Sequence, residues 1–387
     1  MNHQTGISVC FISHSARMRG AERSLLEAVT ALTHQGIRCC VAIPRHGPLA
    51  VELEKRGIVW NVIPYTWWMG SHAPFRKRAA KLFINLAAVL LLILQIRRWG
   101  CNLIYTNSLT VCVGAVAARL LQLPHVWHIH EFGYEHHGLT FDLGDSFSLR
   151  LVDRSSTACV MASHALAAKY QPHLPSPRVS VIYQSVSTPL QVNDSTRPDT
   201  KSLRCVIVGA LQEGKGQEEA IRAFTRLASE GLDIELWIVG GGEKEEVQRL
   251  RALVDTSGFG KRIFFTGEVE NVFPYLKASD VVLVCSRFEA FGRTTVEGML
   301  LGKPVVGTRS GAAAELIQEG VTGHLYEPGD DRELAEKIRY FHSYPEEARA
   351  MGAVGRRWAA HRFTPERYGR DLSTLLRSVL TEYSGSV

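Results

Sequence analysis

Short β-branched runs alternate with helix-length segments along the whole chain. Ser8–Ser13 reads as a strand, Ala21–Gln35 as an amphipathic helix closed by Gly36, and Arg38–Pro44 as a strand. Leu49–Arg56 follows as a helix and Ile58–Ile63 as a strand. Beyond a long apolar segment come a strand at Leu103–Tyr105, a helix at Val113–Leu121, and strands at Val126–His130, Ala158–Met161 and Val179–Ile182. Ser185–Ser202 is polar, holds two prolines and shows no sustained period, which predicts a linker. The alternation then restarts at Arg204–Val208 and continues to a strand at His324–Tyr326. Such a pattern predicts an α/β chain of two Rossmann-like, doubly wound domains facing each other across a cleft. The expected boundaries are 1–187, a linker over 188–202, and 203–363. Thr364-Pro365-Glu366 supplies an N-cap and a proline at N1, opening a last helix over 364–387 that is expected to pack back toward the first domain. Ligands of parallel sheets sit beyond the carboxyl ends of the strands, so the chemistry is expected just after them.

The length of 387 residues suits two domains, and 45% hydrophobic with 21% charged residues is globular composition. The net charge of +6 is too small to argue for nucleic acid, but it is unevenly spread. Residues 1–187 hold 18 Lys and Arg against 9 Asp and Glu; the remainder holds 26 against 29. Several of the N-terminal cations, Arg76, Lys77, Arg78, Lys81, Arg97 and Arg98, flank the apolar run Leu82–Leu94. That run of 13 residues falls short of the roughly 20 needed to span a bilayer. It reads either as a crossover helix buried in the domain or as a helix lying against an anionic leaflet. The eight cysteines form no Cys-x-x-Cys pair and sit mostly in apolar runs, as reduced, buried thiols do. The first residues lack the basic and long apolar regions of a signal peptide, so a cytoplasmic protein is expected.

Four segments carry candidate chemistry. In CSRFEAFGRTTVEGMLLGKPVVG (285–307), a strand ends, a loop carries Glu289 and Gly292, and a helix with Glu297 follows. A helix N-terminus attracts anions, and glycine lets a ligand approach the backbone. In VGALQEGKGQEEAI (208–221), a glycine-rich loop presents Lys215 as a positive charge suited to a diphosphate. The other two are GTRSGAAAELIQEGVTGHLYEPGD (307–330) and HSARMRGAERSLL (14–26), which brings Gly20 to the start of the first helix. Spacing alone offers Thr294-x-x-Glu297 a structural role too, as a capping box.

Together these segments resemble glycosyltransferase family 4, the retaining, metal-independent nucleotide-sugar transferases of the GT-B fold. The most specific part is E-x7-E, here Glu289 and Glu297, followed by Glu315, Leu316, Gly320, Thr322 and Gly323. The resemblance implies that Glu289 contacts hydroxyls of the donor sugar and Glu297 holds the ribose. It implies that the backbone at Phe291, Gly292 and Arg293 faces sugar and diphosphate, and that Gly20, Gly209 and Lys215 serve the phosphates, with Lys215 acting where a metal ion acts in other transferases. Where the family usually shows Gly-Arg-Leu, this chain has Gly209-Ala210-Leu211, which leaves Arg287 and Arg293 as candidate replacements. A second departure is Tyr183-Gln184-Ser185, where the family commonly has Asn-Gly.

In LPHVWHIHEFGYEHHG (123–138), the resemblance places His130 at the donor sugar as the catalytic-domain histidine, with Glu131 as an acceptor-side base or orienting group. The five histidines between 125 and 137 also admit a metal reading, but no carboxylate or cysteine completes a recognisable set, and no cofactor is expected. His14 and Ser163 are further acceptor-side candidates; His14 reads more readily as a structural loop residue, and Ser163 equally well as a helix cap. The implied activity is transfer of a sugar from a nucleoside-diphosphate donor to an acceptor hydroxyl with retention, in envelope polysaccharide or glycolipid synthesis. The implied partners are a nucleotide sugar and a glycan or lipid-linked acceptor, met at the cytoplasmic face of the membrane through the basic flank. Two alternatives remain at this point: a non-catalytic partner protein on the same fold, and a nucleotide-sugar epimerase.

Overall fold

Two wholly parallel sheets organise the chain. The structure, a computed structural model, describes residues 6–70, 74–187 and 202–385, so most of the linker expected over 188–202 lies outside the described residues. The strands are β1 (Ser8–Ser13), β2 (Arg38–Ile43), β3 (Val59–Val62), β4 (Met69–Gly70), β5 (Leu103–Asn107), β6 (His125–Ile129), β7 (Thr140–Phe141), β8 (Ala158–Met161) and β9 (Arg178–Val181) in the first part. The second part holds β10 (Leu203–Val208), β11 (Ile234–Val239), β12 (Ile263–Gly267), β13 (Val281–Val284), β14 (Val305–Thr308) and β15 (Gly323–Tyr326). One sheet runs β3-β2-β1-β5-β6-β8-β9 and the other β12-β11-β10-β13-β14-β15; β4 and β7 form a separate antiparallel ribbon. Each sheet reverses its strand order once, between β1 and β5 in one and between β10 and β13 in the other. Those switch points are where parallel α/β sheets bind ligands.

The central strands were legible because both faces are covered by helices. β1, β5, β6, β8, β13 and β14 are buried at every position, which favours apolar residues and requires partners for the polar ones among them. Residues 6–185 and 364–385 belong to one compact unit, and 202–363 to the other, whose first residue is Val186. In the first unit the last helix, Pro365–Ser384, packs on Gly20–His34, where Tyr368 shares a hydrogen bond with Ser24 at 3.1 Å. Thr364 caps that helix by accepting from Arg367 N at 3.2 Å. All eight cysteines are free thiols and seven of them are buried.

The long apolar helix differs from its expected form. It runs from Phe75 to Trp99, 25 residues, taking in the basic segment before the apolar run. Its buried positions are Asn85, Ala88, Val89, Leu92, Gln95, Ile96 and Trp99, a single stripe at helical spacing. Leu82, Phe83, Ile84, Leu86, Leu90, Leu91 and Leu94 all point outward. The fully buried crossover reading is therefore wrong for most of the segment, because one sheet face covers only one side of a helix. Lys81, expected among the free flanking cations, is paired with Asp142 at 2.8 Å.

Candidate functional site

In the second unit, two loops from neighbouring strands at the switch point are pressed together. The loop after β10 turns through Gly214 (φ 85°) and Gly216 (φ 74°), left-handed positions that suit glycine. A Cβ at Gly216 would overlap the carbonyl of Cys285 at the end of β13. That close approach puts Lys215 Nζ 3.1 Å from Glu289 Oε2, with both side chains largely shielded. Gly216→Ala should cost about 3 kcal/mol or more, from strain and overlap together. Gly214→Ala, where a Cβ meets nothing within 4 Å, should cost only about 1–2 kcal/mol of backbone strain. Chemical denaturation of the two variants side by side checks the difference.

The loop after β13 is braced from β14. Thr308 Oγ1 donates to Ser286 O at 2.6 Å, Ser310 Oγ to Arg287 O at 2.7 Å, and Ala312 N to Glu289 O at 2.8 Å. Phe291 is buried, with its ring 5.8 Å from that of Phe363 in an edge-on contact. Gly292, at φ 84°, is the N-cap of the helix Arg293–Leu300. Thr294 thus lies inside the helix, and the capping-box reading of Thr294 and Glu297 does not describe it. Glu297 is buried, with Arg293 Nε 3.8 Å from its Oε1. The N–H groups of Arg293, Thr294 and Thr295 precede the helix's first i→i−4 bond and carry its positive end. Two carboxylates, a lysine, an arginine and a helix N-terminus thus meet at one strand end, a set able to hold an anion beside a polyhydroxylated group.

The two candidate replacements for the missing arginine separate here. Arg287 is turned toward Glu219, at 3.4 Å, and lines a cavity of 310 Å³ with Gln212, Glu213, Arg222 and Arg249. Arg293 stays beside the E-x7-E acids. Ala210 is exposed, and its carbonyl accepts from Gln217 Nε2 at 2.9 Å. Gly209 follows β10 at φ 155°, and the Gly240-Gly241-Gly242 run lies against that loop, with Leu211 N donating to Gly241 O at 2.9 Å.

In the first unit, His130 follows β6 and is held from both sides. Its Nε2 is 2.8 Å from Asn107 Oδ1 and its Nδ1 2.9 Å from Gln184 Nε2. Sequence reasoning missed both partners, although Gln184 stood at a recognised departure from the family. Glu131 is committed to structure: it accepts from Leu109 N at 3.2 Å, from His130 N at 3.1 Å and from the Ser108 hydroxyl. It secures a turn in which Ser108 has φ 117°. Of the two roles offered for Glu131, base or orienting group, these bonds describe an orienting one, a clamp on the loops that carry Leu109 and His130. Ser163 is fully buried and caps the helix His164–Tyr170 by accepting from Leu166 N at 3.2 Å, which decides for the cap. His14 Nε2 lies 3.2 Å from Glu22 Oε1, and Gly20 is the exposed first residue of its helix.

The neighbouring histidines are core residues. His125 Nε2 pairs with Thr106 Oγ1 at 2.7 Å and His128 Nδ1 with Tyr105 OH at 2.8 Å. Burial pulls both imidazoles down to about 3. The unfolded chain then binds more protons below about 6.5, so stability is full above that pH and falls as pH drops toward 3. Two such groups should remove about 3 kcal/mol between pH 7.5 and 5.5. Urea titrations followed by tryptophan fluorescence, with the His125→Gln/His128→Gln variant showing a flatter pH dependence, check this.

Two family models match adjoining parts of the chain: Glycosyltransferase Family 4 over residues 18–189 and Glycosyl transferases group 1 over 192–358. N-acetyl-alpha-D-glucosaminyl L-malate synthase of Bacillus anthracis is 32% identical over 175 residues, 45% of each chain. A 2-deoxystreptamine glucosyltransferase of Streptomyces kanamyceticus is 31% identical over 40% of each chain. The chain thus spans less than half the length of these two curated relatives. Alpha-1,3/1,6-mannosyltransferase ALG2 of Homo sapiens is 22% identical over 96% of both. Among solved structures, Alr3699/HepE of Anabaena in complex with UDP and glucose superposes with a TM-score of 0.80 at 24% identity, covering 96% of this chain and 100% of that one. The sucrose-phosphate synthase of Thermosynechococcus elongatus gives 0.77 at 19% identity, over 97% and 100%. At these identities the likeness carries the fold: two Rossmann-like units of the GT-B type.

Proposed function

Because the chain belongs to glycosyltransferase family 4, we propose that it transfers a sugar from a nucleoside-diphosphate donor to an acceptor hydroxyl with retention, in envelope polysaccharide or glycolipid synthesis. The observation that carries this reading is the Lys215–Glu289 pair at 3.1 Å, set beside Glu297 and the N-terminus of the 293–300 helix. The acceptor oxygen bonds to the anomeric carbon on the face from which the diphosphate departs, the bond to the diphosphate oxygen breaks, and the acceptor's hydroxyl proton passes to that departing oxygen, on which negative charge grows. Lys215, Arg293 and the helix N–H groups stabilise that charge, in place of a metal ion. Glu289 holds sugar hydroxyls, Glu297 the ribose, and His130 steadies the positive charge developing on the sugar.

HepE, a structural neighbour, is described in complex with UDP and with UDP-glucose, which makes UDP-sugars the first donors to test. A thermal-shift panel of nucleotide sugars should show one donor raising the melting temperature. At 100 times its dissociation constant a donor adds about 2.7 kcal/mol. A panel with no stabilising donor would overturn the reading, as would donor epimerised in place of slow hydrolysis when no acceptor is present. Chelator should leave activity unchanged. We place the protein at the cytoplasmic face of the membrane, drawn to anionic lipid by Arg76, Lys77, Arg78, Arg97 and Arg98 and acting on a glycan or lipid-linked acceptor.

A further inference from the structure

The helix Phe75–Trp99 is apolar on its outward face as well as along most of its buried stripe. Its polar residues Asn85 and Gln95 lie on the buried stripe, where Asn85 Oδ1 accepts from Thr66 N at 2.8 Å and Gln95 Oε1 from Asn61 Nδ2 at 2.8 Å. Phe83, Leu86, Leu90 and Leu94, spaced by three and four residues, form the outward face. Phe83 is 71% exposed, Leu90 64% and Leu94 63%. Contiguous apolar surface of this kind marks an interaction site. The helix contains no acid, and exposed Arg76, Lys77 and Arg78 stand at one end with Arg97 and Arg98 at the other.

Two observations fix the occupant. A second copy of the same face would bring cation clusters onto cation clusters, whether the helices ran parallel or antiparallel, so self-association is opposed. An anionic bilayer is complementary to both ends and to the apolar middle at once. Among the described residues this is the one helix long and apolar enough to cross a membrane. Crossing would strip Asn85 and Gln95 of their partners, break the Lys81–Asp142 pair and remove Trp99 O from Arg38 Nη1, 2.6 Å away. We infer that the helix lies in the bilayer interface and inserts Phe83, Leu86, Leu90 and Leu94 below the headgroups, with the arginines and Lys77 at headgroup level. This rests on the peripheral-membrane reading above and replaces attraction by charge alone with insertion.

The test uses the full chain with vesicles of phosphatidylcholine, alone or mixed with phosphatidylglycerol. Wild type should sediment with the mixed vesicles, and raised salt should weaken that binding without abolishing it. Leu86→Ser/Leu90→Ser/Leu94→Ser should lower the partition coefficient by about tenfold or more, with an unchanged melting temperature because all three side chains are exposed. A Phe83→Trp reporter should shift its emission to the blue on binding. Triple-variant binding equal to wild type, with loss only in Arg76→Glu/Lys77→Glu/Arg78→Glu, would overturn insertion and leave the membrane reading standing. Wild type that binds no vesicle would overturn both. A wild-type dimer dissociated by the serine variant would overturn insertion in favour of self-association.

Discussion

Lys215→Ala should slow sugar transfer by about a hundred- to a thousandfold, the effect of removing one charge-stabilising group from a developing anion. Removing one partner of a largely shielded pair also costs stability, about 1–3 kcal/mol, so the melting temperature of the variant is to be measured beside its rate. Lys215 and Glu289 are each less than one-fifth exposed and face one another across the two loops. The lysine is positioned by Gly214 and Gly216, whose left-handed turns are independent of its own side chain. Its loss should therefore fall on kcat and on diphosphate affinity and leave loop geometry intact. Glu289→Gln, which keeps size and hydrogen bonding but removes the charge, should also reduce transfer while weakening UDP binding much less than Lys215→Ala does. That contrast separates a group acting on the sugar from one acting on the leaving group. Steady-state kinetics with UDP titration calorimetry make the comparison. Wild-type rates in both variants would remove the pair from the site.

In the second unit the candidate residues that the structure brings together were legible in the sequence because their spacing is local. Gly214-Lys215-Gly216 and Glu289 to Glu297 each lie within one strand–loop–helix passage, and backbone strain at the glycines makes those passages conspicuous. The first unit was less legible. His130 stands out in the sequence, but its partners Asn107 and Gln184 come from positions 23 and 54 residues away. No periodicity reports a side-chain contact across that distance. The helix Phe75–Trp99 misled for a different reason. Periodicity assumes that polar residues face water, whereas Asn85 and Gln95 face partners inside the unit while Leu82, Leu86, Leu90, Leu91 and Leu94 face out. The helix Asp145–Ser155 was missed outright: its low apolar content gives no stripe, and only Ser148 and Val152 are buried.

Asn107→Asp should cut transfer by about a hundredfold at neutral pH, and the loss should shrink as pH rises. Asn107 Nδ2 donates to Ala21 O at 3.0 Å, which leaves Oδ1 to face His130 Nε2. An oxygen there requires that Nε2 carry the proton, and Gln184 Nε2 then donates to a bare Nδ1. The two amides hold a neutral ring in one tautomer and one orientation. A carboxylate at 107 would lose the bond to Ala21 and favour the imidazolium, raising the histidine pKa. Gln184 would then present an N–H to an N–H, unless its amide turned over and offered Oε1, which is buried without a hydrogen-bond partner. The rate of the variant should accordingly climb with pH through the raised pKa, as the ring returns to its neutral form. Relative to wild type, the variant should therefore recover as pH rises. Asn107 and Gln184 are positioning residues on this account, acting through His130. A purely structural role for Asn107 would lower the rate equally at every pH, so parallel pH–rate profiles for variant and wild type would reject the tautomer lock.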